Sequence, residues 1–286
     1  MTKNNVAILV DSGCDLPEEI CKKHKIFKLP FSLMFKSAIY RDDTISTYDL
    51  YRLMEQEIPK TSFPSGEEVE KMLLRISKEG YTKILAVSIS SRLSGTCNML
   101  RLHAKRHANL EIEVIDSCNI SIGAGMLALN AAEYLAQGMS WPHLKERLIK
   151  EVHNSKVFFC LKTLEYLKQG GRIGHVSALL GNALRIKPII TCDFEGIYTT
   201  EAKVAGYKQA LQRLSECAAH FAAKAPVQLA IMHGAAATEA ALVKERVCSL
   251  LPHAKLIIEE QISPSMAVHT GPGLVGIGVF KEIVNT

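Results

Sequence analysis

Short apolar runs separated by amphipathic stretches set the rhythm of the first half of the chain. Residues 6–10, 27–35, 84–89 and 111–115 read as strands, being apolar or alternating and too short for helices. Between and after them, apolar residues at helical spacing predict helices opening at Leu16-Pro17-Glu18-Glu19 and covering 49–57, 67–78, 96–107, 123–136 and 142–152. The first has proline in its opening turn and acids at its positive end. In 67–78, Val69, Leu73 and Ile76 fall on one face. Residues 59–65 read as a loop. Strand and helix alternate, which predicts a parallel sheet with helices on both faces.

The second half has another rhythm. Residues 157–161, 227–232 and 256–260 read as strands, and 186–190 with 196–200 as a hairpin around Cys192-Asp193-Phe194-Glu195. Helices are predicted over 178–184, 208–223 and 239–249, and 271–280 is Gly-rich and then apolar. A hairpin beside helices points to a mixed or antiparallel sheet. The expected fold class is therefore α/β in two domains: a parallel-sheet α/β domain over 1–154 and a mixed-sheet α+β domain over 155–286.

Composition narrows the class. With 48% hydrophobic and 22% charged residues the chain has the makeup of a globular protein, not a disordered one. The net charge of +5 is spread along the chain, so nucleic acid is not an expected partner. No window reaches the ~18 apolar residues of a membrane span. Residues 120–136 come closest, but Ser121, Asn130 and Glu133 interrupt them. The opening MTKNNVAILVDSG has too short an apolar run for a signal-peptide core, and a cytoplasmic location is expected. Eight cysteines at 14, 21, 97, 118, 160, 192, 217 and 248 form no CxxC pair, so free thiols are expected and no metal site. Cys97 and Cys118 adjoin candidate ligand turns, but small semi-buried thiols are the plainer account. His103 and His107 flank Lys105 and Arg106 and read as a solvated basic face.

Candidate chemistry follows the strands of the first half. Residues 6–10 run into Asp11-Ser12-Gly13, 84–89 into Ser90-Ser91-Arg92-Leu93-Ser94-Gly95-Thr96, and 111–115 into Asp116-Ser117. In a parallel sheet these turns gather at the carboxyl edge, where such folds bind ligands. Ser12 and Ser117 are each explained by helix capping. The run Ser94-Gly95-Thr96 after a double serine offers more hydroxyl and N–H donors than one cap needs, and favours an anionic ligand. Ser65 and Glu68 form a capping box, which leaves Thr61 and Ser62 free to complete an anion pocket. Gly170-Gly171 ends a helical stretch as a left-handed cap would, fixing Arg172 at the turn, where a guanidinium can grip a carboxylate or phosphate. His269-Thr270-Gly271-Pro272-Gly273 sets an imidazole beside a hydroxyl. Gly170-Gly171-Arg172-Ile173-Gly174 lacks the spacing and the Lys-Ser/Thr of a Walker loop, and no G-x-S-x-G elbow is present.

Taken together, VDSGCDLP at 10–17, TSFPS at 61–65, SSRLSGT at 90–96, VIDS at 114–117, LEYLKQGGRIG at 164–174 and HTGPG at 269–273 resemble the DegV family, nearly end to end. The resemblance implies a fatty acid held in a deep tunnel at the junction of the two domains, with no other cofactor. It also implies the role of acyl-binding subunit of a fatty acid kinase, without turnover of its own. A separate ATP-binding kinase subunit would phosphorylate the bound carboxyl, and the acyl phosphate would feed phospholipid synthesis. By that analogy Thr61 and Ser94 hydrogen-bond the carboxylate, and Arg172 and His269 assist transfer or docking. The ligand-binding candidates are Thr61, Ser62, Ser94, Gly95, Thr96, Ser12, Ser117 and Thr270.

One position departs from the family. Phe63 stands where members often have Gln, so either the loop faces lipid or the head-group contacts differ. Two other functions stay open: an autonomous phosphotransferase or hydrolase using Arg172 and His269, and a regulatory module that responds to lipid. The basic stretch 101–107 is a candidate docking face for an acidic partner or for transient membrane contact.

Overall fold

The apolar runs of the first half are laid out as one parallel sheet. The computed structural model describes residues 5–107, 109–179 and 186–283. Along the first half run β1 (Val6–Asp11), α1 (Glu18–His24), β2 (Ile26–Leu29), β3 (Ser32–Met34), β4 (Ile39–Arg41), α2 (Thr47–Met54) and β5 (Lys60–Ser62). Then come α3 (Gly66–Lys78), β6 (Lys83–Ser88), α4 (Thr96–Ala104), β7 (Glu111–Asp116), α5 (Ile122–Ala136) and α6 (Trp141–Glu151). The second half holds β8 (Ser155–Cys160), α7 (Glu165–Gln169), β9 (Ile186–Cys192), β10 (Tyr198–Ala205) and α8 (Tyr207–Ala222). It ends with β11 (Val227–Gly234), α9 (Ala237–Leu250), β12 (Lys255–Gln261), α10 (Pro264–Thr270) and β13 (Leu274–Lys281).

Strands pair in the order β2-β1-β6-β7, all parallel, with Ile8 facing Ile26 on one side and Leu85 on the other. The second sheet, β10-β9-β8-β13-β11-β12, is antiparallel except for the β11–β12 pair. The fold is thus α/β with one parallel and one mixed sheet.

Alternation along β1 sorts its side chains to two cores. Ala7 and Leu9 pack with Val69, Leu73 and Ile76 of α3 and Leu100 of α4, while Val6, Ile8 and Val10 face the inner layer. That layer contains α5, which touches β1 and β6 of one sheet and β8 and β13 of the other. Eleven of its fifteen residues are buried, as expected of a helix that is apolar all round. Gly125 permits the close approach, because a Cβ there would lie 2.3 Å from the carbonyl oxygen of Cys14. Helices α8 and α9 cover the far face of the mixed sheet through Leu211, Leu214, Val243 and Val247.

Four stretches differ from what the pattern predicts. Residues 27–35 are not one strand: the chain breaks at Pro30-Phe31, leaving β2 in the parallel sheet and β3 in a small antiparallel sheet, β4-β3-β5. Pro30 has no N–H, and the Phe31 N–H is taken by Ser12 Oγ at 3.0 Å and Asp42 Oδ1 at 3.1 Å. Lys60–Ser62, read as loop, is the strand β5 because Thr61 pairs with Leu33. Residues 264–270, which no pattern announced, form α10, with Pro264 at its first position. Of the predicted helix 178–184, Ala178 and Leu179 end a 3-10 turn and 180–184 lie outside the described residues.

Candidate functional site

Four separate segments converge beside the carboxyl edge of the parallel sheet. After β6 the chain folds into a turn in which Ser90 N–H donates to Asn119 O (2.7 Å) and Ser90 Oγ accepts from Arg92 N (3.1 Å). That turn projects Leu93 and Ser94. Ser94 Oγ lies 2.9 Å from Thr96 Oγ1 and accepts from the Thr96 N–H at 3.3 Å. On the second segment, β5 carries Thr61, and Ser65 caps α3 through a reciprocal box with Glu68.

The third segment is the end of α7. Gly171 adopts φ +69°, Gly171 N donates to Lys168 O (3.1 Å) and Arg172 N to Leu167 O (3.0 Å). This is a complete Schellman cap, and it fixes where Arg172 leaves the helix. Its guanidinium is held by two carbonyls, Gly170 O at 2.7 Å and Leu93 O at 3.3 Å. The fourth segment, α10, supplies His269 and Thr270.

Thr61, Ser94, Arg172, His269 and Thr270 line one narrow cavity of about 30 Å³ with Phe31, Phe63, Ile89, Leu93, Ile120, Tyr198 and Met266. A second, narrow and almost wholly apolar chamber of about 20 Å³ adjoins it, sharing Ile120, Tyr198, Met266 and Thr270. Its other walls include Val157, Phe159, Met232, Leu274 and Gly276 of the mixed sheet. A polar antechamber thus adjoins an apolar interior walled by the mixed sheet and α10.

The electrostatics of the antechamber are mild. His269 Nε2 lies 2.7 Å from Thr61 Oγ1, while the buried Nδ1 has no hydrogen-bond partner among the described residues. Burial, and then the nearby Arg172 charge, push the imidazole pKa down to about 4, so it is neutral at pH 7. A Cβ on Gly170 would lie 2.1 Å from that Nδ1, so the glycine leaves room for the ring. Phe63, 39% exposed, stands at the mouth. Its ring rests on Gly95, where a Cβ would come within 2.6 Å of it.

Other candidates lie elsewhere. Ser12 and Ser117 do not line the cavity: Ser12 Oγ is taken by Phe31 N, and Ser117 Oγ accepts from Asn119 N at 3.2 Å within its own turn. Ser62 Oγ donates to Phe63 O (3.1 Å), Thr96 is buried behind Ser94, and Gly95 acts through its fit to Phe63. Burial raises the Cys97 thiol pKa and pushes Cys118 up to about 11, which leaves neither thiol activated. His103 and His107 require a correction. They are no solvated face, since His103 is buried and both rings turn to Glu70 of α3. The apolar lining residues carry no local signature, because each looks like ordinary core in its own segment.

The match to the DegV family model, described as uncharacterised protein, DegV family, spans residues 5–282. A DegV domain-containing protein of Clostridium acetobutylicum is 37% identical over 278 residues, covering 97% of this chain and 99% of the relative. The chain belongs to the DegV family. Among solved structures it is similar to the fatty-acid-binding DegV family protein of Thermus thermophilus, with TM-score 0.91 and 27% identity over 97% of this chain and 99% of the other. It is also similar to a stearic-acid-binding protein of Eubacterium ventriosum, with TM-score 0.88 and 26% identity over 96% and 98% of the two chains. Structural neighbours of this DegV chain are therefore proteins that bind fatty acids. No described helix is long and apolar enough to cross a membrane.

Proposed function

We propose that this DegV protein binds a long-chain fatty acid, with its carboxylate in the antechamber at Thr61 and Ser94 and its tail in the apolar chamber. The observation that carries the reading is that the polar-walled cavity and the apolar chamber adjoin, with Ile120, Tyr198, Met266 and Thr270 forming walls of both. Burial of an alkyl tail contributes about 0.8 kcal/mol per methylene, enough to hold a single-chain lipid. The hydroxyls supply orientation. The two-domain division, 1–154 and 155–286, sets each sheet in its own unit with the lipid between them.

The carboxyl is presented to a separate ATP-dependent kinase subunit, and the acyl phosphate serves phospholipid synthesis in the cytoplasm. Neutral hydroxyl donors suit a carboxylate that must stay nucleophilic, whereas a full cationic clamp would stabilise the ground state. Arg172 fits this role because two carbonyls already hold its guanidinium. His269, uncharged, assists by ordering the Thr61 hydroxyl and not as a cation. Phe63 places an apolar lip at the mouth, where a lipid enters from a donor membrane.

Native mass spectrometry of the purified chain, followed by denaturing extraction, tests the reading. One fatty acid per chain is expected, with Ser94→Ala weakening uptake by about tenfold, the loss of a hydrogen bond to a charged group. A chain that is empty and takes up no added fatty acid defeats it. ATP turnover without a partner would shift the assignment to an autonomous enzyme.

A further inference from the structure

The edge formed by α3 and α4, outside the lipid cavity, brings together three side chains for which the proposed function has no use. We propose that Glu70, His103 and His107 bind one zinc-class divalent cation that staples α3 to α4. His103 Nδ1 lies 3.3 Å and His107 Nε2 2.9 Å from the same Glu70 Oε2, and the three donor atoms are all within 4.8 Å of one another. A tetrahedral ion with bonds of about 2.0–2.1 Å sets its ligands roughly 3.3 Å apart. The two oxygen–nitrogen separations fall within a few tenths of that value.

The donors also select the ion. Two imidazoles and one carboxylate suit zinc and its neighbours, whereas magnesium and calcium take oxygen alone. Three protein ligands leave a fourth position for water. His103 stands in the last turn of α4, and the turn that follows, in which Arg106 N–H donates to His103 O at 2.9 Å, carries His107 to the same carboxylate. His103 is 6% exposed, and a Cβ on Gly66 would come within 3.3 Å of its Nε2. Packing thus holds that ring with Nδ1 on the Glu70 side. Lys105 and Arg106 are exposed, and among the described residues neither Lys nor Arg pairs with Glu70, which leaves the carboxylate to the imidazoles.

The ion would join the first turns of α3, which follows the Thr61–Phe63 segment, to the last turn of α4 and the turn just after it, α4 itself following Ser94. Its role is structural, holding in register the two helices that carry the mouth of the cavity.

The test is titration of the metal-stripped, tag-free full chain with Co²⁺ and then Zn²⁺, followed by visible absorption and thermal unfolding. One equivalent of Co²⁺ should bind with ligand-field bands, Zn²⁺ should displace it, and Zn²⁺ should raise Tm. Glu70→Gln and His107→Gln should each weaken binding by at least about tenfold and abolish the Tm rise, with circular dichroism unchanged. The double variant Cys118→Ser, Cys248→Ser should bind as the parent does. No saturable binding overturns the proposal, as does binding that survives His107→Gln and Glu70→Gln or disappears with the thiols.

Discussion

Asp11 ends the first strand fully buried, its Oδ2 accepting from Ile89 N at 3.2 Å and its Oδ1 from Cys14 Sγ at 3.6 Å. Burial pushes its pKa up to about 7, against the partial offset of the Ile89 N–H, and the Asp42 charge adds to the rise. The folded state therefore holds a proton that the unfolded chain releases near the usual carboxylate value of 3.8. This contribution to stability is complete below pH 3.8 and is lost as pH rises through 7. Asp15 behaves alike, raised to about 6, while neutral His269 acts in the opposite sense, disfavouring the fold below its unfolded value of 6.5. Above pH 6.5 Asp11 dominates. The parent should accordingly lose Tm between pH 6.5 and 8, and Asp11→Asn should flatten that slope by a degree or two, on the order of 1 kcal/mol or less. Parallel Tm curves for parent and variant across that range would refute the assignment.

Elements act here through their ends. The close of α7 and the body of α10 meet where Gly170 faces His269 Nδ1. Gly170 itself has φ −74°, an ordinary helical value, so alanine there costs nothing in backbone strain. Its methyl would collide with the imidazole, the next neighbour being Tyr166 O at 3.2 Å. Gly170→Ala should destabilise the protein by about 1–3 kcal/mol, as overpacked sites do, and displace His269 from Thr61. In a His269→Ala background the same change should be nearly neutral. Denaturant unfolding of the four proteins of this cycle measures the coupling, and equal costs in both backgrounds would show that the ring is not what the glycine accommodates.

At the scale of the molecule, the interior chamber draws its walls from the mixed sheet, from α10 and from the segment after β7, so its depth is set by how those elements pack. Gly276 on β13 lines it, and a Cβ there meets only ordinary contacts, the nearest 3.4 Å away. Gly276→Val should therefore fold normally while its outer carbons occupy tail space. The preferred fatty acid should shorten by about two carbons, and longer acids should lose roughly fourfold in affinity for each methylene expelled. Competition binding across a chain-length series reads this directly. An unshifted preference would mean that the tail runs elsewhere.

Much of this architecture is legible along the chain because its causes are local. Strands and helices follow from apolar periodicity, the α3 cap from Ser65 and Glu68, the fixed Arg172 turn from Gly170-Gly171, and the hydroxyl-rich turn from the serines after β6. The break at Pro30-Phe31 was hidden because its decisive partners, Ser12 and Asp42, come from other segments. The encounter of Thr61 with His269 spans 208 residues, and no short-range pattern encodes it. The same holds for Glu70 with the two histidines, and for the apolar walls of the chamber. Residue types and local periods determine which elements form and which side chains bear chemistry. Which of those side chains meet is decided only when the two sheets close over α5, because burial drives that closure without regard to distance along the chain.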